Sequence, residues 1–182
     1  EVNGQSCSAI YCIDVNNGNV YSNGVINFEE PATGVLSILV RDDGGSCPST
    51  GSINACESTA SHTFQILDRN DGPTYTGSTV FSVDENNDAH KFVAQLNFKD
   101  EDANDTLYYT IYDEDLGKAS DGFNITGNTL YIGPANYINF EERSVYNLII
   151  QAEDRNVVLS PNNMKLDVSI RINVNDNAED PR

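Results

Sequence analysis

The chain has 182 residues, of which 38% are hydrophobic, and 28 acidic against 10 basic side chains give a formal net charge of -18. This charge opposes binding to nucleic-acid phosphates or anionic lipid, and it favours hard cations. The length allows one large or two small domains, and we interpret it as two. Because no apolar run approaches membrane-spanning length and no signal peptide is visible, we expect a mature or partial piece of a longer polar protein.

The first third of the chain predicts short strands separated by turns. Ala9–Ile13 is typical of a short strand, and Val35–Val40 predicts a buried one. His62–Leu67 alternates, with Phe64 and Ile66 on one face. No stretch here has a helical period, so we expect an all-β arrangement.

After Pro73 the alternation is fuller and predicts about seven strands in about a hundred residues, a spacing typical of a β-sandwich. A Gly127-Asn128 turn separates two of these strands. The first of these strands is Val80–Val83, and the apolar positions expected to share a face in the later ones are Phe92, Ala94, Leu96 and Phe98; Leu107, Tyr109 and Ile111; Tyr146, Leu148, Ile150 and Ala152; Leu166, Val168, Ile170 and Ile172.

The two halves of the chain repeat each other. Phe28-Glu29-Glu30 matches Phe140-Glu141-Glu142, and Arg41-Asp42 matches Glu153-Asp154, at a nearly constant offset. The period is a little over a hundred residues, which is one whole domain. In this register the first repeat lacks its first three strands, so we expect the chain to begin inside a domain.

Four cysteines fall in the first third, and neither histidine completes a zinc array with them. Disulfides are therefore the favoured interpretation. Of three possible connectivities we favour Cys7 with Cys12 and Cys47 with Cys56, because the second pair brackets the turn-forming segment 48–52. This chemistry predicts an oxidising compartment.

Two N-glycosylation sequons begin at Asn104 and Asn124. They agree with an extracellular or cell-surface location. We therefore expect a disulfide-bonded glycoprotein.

Carboxylates are clustered at 68–71, 84–88, 100–105 and 113–115, and clustering favours metal binding over an evenly solvated surface. The run from Asp100 resembles the opening of an EF-hand loop. That interpretation fails because Asp105 stands where glycine is needed and Ile111 where the chelating glutamate should be.

An enzymatic function is not expected. Asp113 and Asp115 form a carboxylate pair, but they fall in a predicted polar turn rather than on separated strand ends facing a cleft. Neither histidine lies near a nucleophile motif, and there is no glycine-rich phosphate loop. Six tyrosines of the second half could form a binding patch, but core or cross-strand packing is favoured.

Five motifs in order resemble those of cadherin repeats. They are Val83-Asp84-Glu85-Asn86, Asp100-Glu101-Asp102, Asn139-Phe140-Glu141, Ala152-Glu153-Asp154, and the two joints Asp68-Arg69-Asn70-Asp71-Gly72-Pro73 and Asn173-Val174-Asn175-Asp176-Asn177. The resemblance covers the second repeat from end to end and the later half of the first. It implies tandem Greek-key, immunoglobulin-like β-sandwich domains, with boundaries 1–73, 74–178 and a tail 179–182.

The same resemblance implies Ca²⁺ between consecutive repeats. Around the first joint it implies ligands from Asn27, Glu29, Asp68, Arg69, Asn70, Asp71, Gly72, Asp100, Asp102, Asn104 and Asp154, with Arg69, Gly72 and Asn104 acting through their carbonyls. Around the second joint it implies Glu85, Asn139, Glu141, Asn173, Asn175 and Asp176. Clustered carboxylates need such cations to offset their repulsion.

Two departures from the family pattern bear on these sites. Asn27 and Asn139 replace the usual aspartate, which removes a charge and keeps an oxygen ligand. The last strand is also out of phase with its joint, which predicts a bulge or a one-residue shift near Asn173.

The resemblance leaves two function classes open. One is an adhesion or recognition module whose partners are other cadherin-like repeats of the same chain and a homophilic or heterophilic protein. The other is a structural spacer without adhesive activity. The adhesive mode that inserts an N-terminal Trp cannot operate in this segment, because the chain has no Trp.

Overall fold

The structure is a computed structural model and describes residues 5–7, 10–30, 33–42, 56–103, 105–155 and 163–178. The chain divides into two units, Glu1–Arg69 and Asn70–Arg182. The described residues form strands and no helix, which confirms the all-β prediction. Cys47, Asn104, the segment 48–52, the tail 179–182 and the side chain of Cys7 lie outside what the structure describes.

The described residues of the first unit form two small antiparallel sheets. One has the order β1-β2-β3 and the other pairs β4 with β5. Their bounds are β1 Gln5–Cys7, β2 Tyr11–Asp14, β3 Val20–Ser22, β4 Thr33–Arg41 and β5 Glu57–Gln65.

One face of the β4–β5 pair is apolar. Leu36 and Ile38 lie in β4, Phe64 lies in β5, and Ile66 directly follows β5. All four side chains are half-buried and line a cavity of about 660 Å³. The predicted shared face of Phe64 and Ile66 is therefore confirmed. The predicted burial of the whole strand 35–40 is wrong. Val35, Leu39 and Val40 are exposed because only one face of β4 turns towards this cavity.

The second unit is a β-sandwich. A five-stranded sheet has the order β11-β10-β14-β15-β7, a three-stranded sheet has the order β12-β13-β8, and β6 pairs with β9. The bounds are β6 Thr74–Tyr75, β7 Val80–Asp84, β8 Lys91–Gln95, β9 Phe98–Lys99, β10 Leu107–Asp113, β11 Lys118–Ala119, β12 Phe123–Thr126, β13 Thr129–Ile132, β14 Val145–Asp154 and β15 Lys165–Asn175.

The core of the second unit lies between the two larger sheets. Leu130 and Ile132 of β13 meet Leu148 and Ile150 of β14 in one buried cluster. In β14 every second residue is buried, as its alternating sequence predicts. The Gly127-Asn128 turn between β12 and β13 is also confirmed, with Gly127 at a φ of 57° that favours glycine.

The predicted face of β8 is partly wrong. Phe92 is 55% exposed, whereas Val93 and Ala94 are both buried. The pairing with β13 explains this, because Leu130 faces Ala94 while Tyr131 faces Phe92, so Val93 is one extra residue on β8. Such a bulge turns the side chain before it to the opposite face.

Of the two predicted explanations for the phase problem at the end of β15, the bulge is wrong. β15 pairs residue by residue with β14 and with β7 as far as Asn175, without a bulge. Its buried alternation continues through Ile172 to Val174. Asn173 is therefore on the opposite face of the strand from these apolar residues.

Candidate functional site: two acidic clusters

The first acidic cluster consists of Asn70, Asp100, Asp102, Asp105 and Asp154, all in the second unit. Asp100 directly follows β9, and Asp154 is the last residue of β14. Oxygen atoms of Asp100, Asp105 and Asp154 lie within 4.8 Å of one another. This spacing is compatible with one shared cation.

Asp154 is held firmly at the centre of the first acidic cluster. It is fully buried; its Oδ1 accepts a hydrogen bond from the Met164 amide and its Oδ2 accepts one from Asn70 Nδ2, both at 2.9 Å. Both oxygens are thus oriented by neighbours that leave further lone pairs for a ligand.

Three other oxygens of the first acidic cluster are buried without a hydrogen-bond partner. They are Asn70 Oδ1, Asp100 Oδ2 and Asp102 Oδ1. Asp102 is only 6% exposed, and its Oδ2 accepts a hydrogen bond from the Asp71 amide at 2.8 Å. Because buried polar atoms are nearly always paired in folded proteins, these oxygens fit a cation with oxygen ligands.

The electrostatics of the first acidic cluster point the same way. Burial raises the pKa of Asp100, and the charges of Asp102, Asp154 and Asp71 raise it further, against a hydrogen bond from the Asp102 amide that lowers it. The ionised form of Asp100 is therefore disfavoured by its own surroundings. A divalent cation would reverse that preference.

The second acidic cluster consists of Glu85, Glu141 and Asp176, whose oxygens also lie within 4.8 Å of one another. Glu85 is 3% exposed; its Oε1 accepts a hydrogen bond from the Asn177 amide at 2.8 Å and its Oε2 from the Phe140 amide at 2.9 Å. These backbone bonds lower the pKa of Glu85. Its charge is thus stabilised by the chain itself.

Other residues predicted for the second joint form hydrogen bonds with neighbouring groups. Asn175 Nδ2 donates to Asp84 Oδ1 at 2.9 Å, and Asn173 Oδ1 accepts from Arg171 Nε at 3.1 Å. Asn139 Oδ1 accepts from the Glu141 amide at 2.9 Å. Their roles as ligands remain predictions.

The first unit repeats one of these local geometries. Asn27 Oδ1 accepts a hydrogen bond from the Glu29 amide at 3.2 Å, as Asn139 does from Glu141. The same Asx turn therefore orients both predicted ligand pairs. Asp68 and Arg69 also belong to the first unit, whereas Asp71 and Gly72 belong to the second.

Asp105 is the residue that sequence reasoning missed. From sequence it belongs to the 100–105 carboxylate cluster and rules out an EF-hand, but it is not predicted as a ligand, yet its carboxylate lies with those of Asp100 and Asp154. The Asp105 amide donates to the Asp102 carbonyl at 3.1 Å, a turn that brings the loop back. An acidic residue three positions after an Asp-x-Asp pair was the available signal.

A further carboxylate pair in the second unit has its counter-charge within the chain. Asp113 is the last residue of β10 and 1% exposed, so its prediction as part of a polar turn is wrong. Arg143 donates to both oxygens of Asp113, at 2.5 and 2.9 Å, and to Asp115 at 2.5 Å. Arg143 lowers the pKa of Asp113, and the hydrogen bonds from Asn147 and Arg143 lower that of Asp115.

The covalent sites predicted from sequence are only partly described. The β1–β2 register places Cys7 opposite Cys12, and neither Cys12 nor Cys56 is a free thiol. Asn124 is exposed on β12, an outer strand of its sheet. The disulfide pairing and the occupancy of the sequons remain predictions.

Comparison with known proteins identifies relatives over most of the chain. The family model for the cadherin domain matches residues 79–175. Protocadherin Fat 4 of mouse and of human are each 32% identical over 173 residues, or 92% of this chain. The chain spans 3% of the length of these curated relatives.

Solved structures share the fold. Protocadherin Gamma B2 extracellular cadherin domains 1-5 match 97% of this chain, over 33% of their own length, with a TM-score of 0.63 and 19% identity. Human Protocadherin-24 EC1-2 matches 95% of this chain, over 81% of its own, with a TM-score of 0.62 and 18% identity. Within the described ranges, no helix is long and apolar enough to cross a membrane.

Proposed function

Because the chain belongs to the cadherin-domain family, we propose that it is a calcium-binding segment of an extracellular, multi-repeat ectodomain that serves adhesion or recognition. The observation that carries the proposal is the set of buried oxygens without partners at Asn70, Asp100 and Asp102. Ca²⁺ accepts six to eight irregular oxygen ligands and therefore suits this set better than a metal that prefers nitrogen or sulfur.

The residues that would hold the ion differ in what they supply. Asp154 supplies an oriented, fully buried carboxylate, and Asp100 and Asp102 supply oxygens that have no other partner. The cation supplies the positive charge that lets these groups ionise together. Without it, the mutual repulsion of the carboxylates opposes the folded arrangement.

We propose further that ions at the joint limit motion between consecutive repeats. The family pattern adds Asn27, Glu29 and Asp68 of the first unit to the ligands of the second. Its support is the matching Asx turn in each repeat, which orients both Asn-x-Glu pairs in the same way. A purely structural spacer is the second candidate, and it would use the same ions.

The proposed partners are other cadherin-like repeats of the same chain and a homophilic or heterophilic protein at the cell surface. The relatives are named protocadherins and matched as ectodomains, which supports this location. Bead aggregation separates the two candidates. Beads coated with the protein that cluster in Ca²⁺ but not in chelator support adhesion, and beads that never cluster support the spacer.

The decisive test of calcium binding is thermal unfolding in chelator and in millimolar Ca²⁺. At a calcium concentration a hundredfold above the dissociation constant, linkage stabilises the folded state by about 2.7 kcal/mol per site. Mg²⁺ at equal concentration is the control for ionic strength. An unchanged Tm in Ca²⁺ would remove the proposal.

We propose that the cysteines form two disulfides, Cys7 with Cys12 and Cys47 with Cys56. The cross-strand register of β1 and β2 supports the first pair. A short closed loop of this kind typically contributes about 2 to 4 kcal/mol. Peptide mapping under non-reducing conditions should find both linked pairs, and free thiols at Cys47 and Cys56 would refute the pairing.

A further inference from the structure

We propose that Asp105 is a ligand of the cation bound at the first acidic cluster, so that the second unit supplies three carboxylates to a single ion. This inference rests on the proposed calcium function and adds a residue that the cadherin ligand pattern does not assign. It starts from the oxygens of Asp100, Asp105 and Asp154, which lie within 4.8 Å of one another.

The ion that fits this spacing follows from bond lengths. Ca²⁺ binds oxygen at about 2.3 to 2.6 Å, so two ligands on opposite sides of the ion are about 4.6 to 5.2 Å apart and all other pairs are closer. Three oxygens within 4.8 Å of one another can therefore share one Ca²⁺. Mg²⁺ binds at about 2.0 to 2.1 Å in a near-ideal octahedron and demands a tighter set.

A second observation points to a ligand at the same place. Asp102 is 6% exposed, and its Oδ1 is buried without a hydrogen-bond partner. Asp102 lines one cavity of about 460 Å³ together with Asp100 and Asp105. A buried carboxylate oxygen in a residue that lines such a cavity calls for a positive partner, because an unpaired buried charge is costly.

Within the part of the chain that the structure describes, no Lys or Arg side chain forms an ion pair with Asp102. Among the described residues, the ion pairs of Lys and Arg involve other acidic groups, such as Asp113 with Arg143 and Asp121 with Lys118. Lys99 is the basic residue that lines the cavity, and its ammonium is in none of these ion pairs. The buried charge of Asp102 is therefore best balanced by a bound divalent cation.

The experiment is isothermal titration of the whole chain with CaCl₂, comparing wild type, Asp105→Asn and Asp88→Asn. Asp88 is exposed and belongs to neither acidic cluster, so Asp88→Asn removes the same unit of charge elsewhere. We expect Asp105→Asn to weaken one site at least tenfold and Asp88→Asn to leave it unchanged. Equal weakening in both variants would indicate a general charge effect and would overturn the inference.

Thermal unfolding of the same variants separates a ligand from a structural residue. Asp105→Asn should melt no lower than wild type in chelator, because it relieves repulsion, and lower than wild type in Ca²⁺. A loss of Tm that is equal in both conditions would assign Asp105 a structural role only. If wild type itself shows no calcium binding, the proposed function fails; if wild type binds and Asp105→Asn binds equally well, only this inference fails.

Discussion

The two acidic clusters of the second unit differ in how their buried charges are satisfied. In the first, Asp100 Oδ2 and Asp102 Oδ1 have no hydrogen-bond partner, whereas in the second both oxygens of Glu85 accept backbone amides. Strand β15 runs from Lys165, near Asp154, to Asn175, near Asp84, and so connects the two clusters. At the usual rise per residue this strand is about 35 Å long. Acidic sequence alone therefore does not determine how strongly a site depends on a cation.

The ends of the two repeats explain part of this difference. In the first repeat Asp68 stands two residues after Ile66, and in the second Val174 stands two residues after Ile172. Val174 is buried in the alternation of β15. The second joint thus has an apolar side chain where the first has a carboxylate, which leaves it poorer in ligands.

The largest expected effect is at Asp113, where the chain supplies its own cation. Arg143→Leu leaves a fully buried carboxylate without its partner and should lower the free energy of unfolding by about 3 kcal/mol, with or without calcium. Urea unfolding in chelator measures this. Lys118→Leu, which breaks the exposed pair with Asp121, is the matched control and should change the free energy of unfolding far less, because exposed ion pairs contribute little.

A double variant, Asp113→Leu with Arg143→Leu, sharpens the result. It should recover stability relative to Arg143→Leu, because no uncompensated charge remains. If the double variant is as unstable as the sum of the two single variants, the cost lies in lost packing rather than in the buried charge.

A smaller, pH-dependent effect is expected at Glu85. Its pKa is lowered in the folded state, so its stabilisation is present above the unfolded pKa near 4.3 and is lost as pH falls through the folded value. In chelator, Glu85→Gln should be less stable than wild type at pH 6. This difference should shrink as the pH is lowered through the folded-state pKa, as measured by urea unfolding.

Glu114→Gln is the control for that pH series, because Glu114 is exposed and belongs to neither acidic cluster. It should follow wild type more closely than Glu85→Gln at every pH. A Glu85→Gln difference that stays constant over the whole acid range would contradict the role of the ionised carboxylate.

Much of the fold could be predicted from sequence because alternation reports which face of a strand is buried. β14 and β15 follow their patterns completely. The failures have local causes: the bulge at Val93 turned Phe92 outward, and β4 has one covered face where its apolar run suggested two. The sequence of a single strand does not specify its register with a neighbouring strand or what packs against each of its faces.

The sequence predicts the motifs of the candidate site, but not which of its polar atoms have hydrogen-bond partners. The pairing of Asp154 with Met164 and Asn70, and the amides that bind Glu85, depend on contacts between residues distant in sequence. Asp105 was missed for the same reason. A carboxylate's need for a cation depends on its burial and hydrogen bonds, which only the folded chain defines.

The most direct test of this account is an NMR titration of the ¹⁵N-labelled protein with CaCl₂, following two pairs of amides. Asp71 and Met164 donate to the first acidic cluster, and Phe140 and Asn177 donate to Glu85 in the second. The account predicts that the Asp71 and Met164 signals shift and saturate at the lower calcium concentration. Saturation of Phe140 and Asn177 first, or no calcium-dependent shift at Asp71 and Met164, would contradict it.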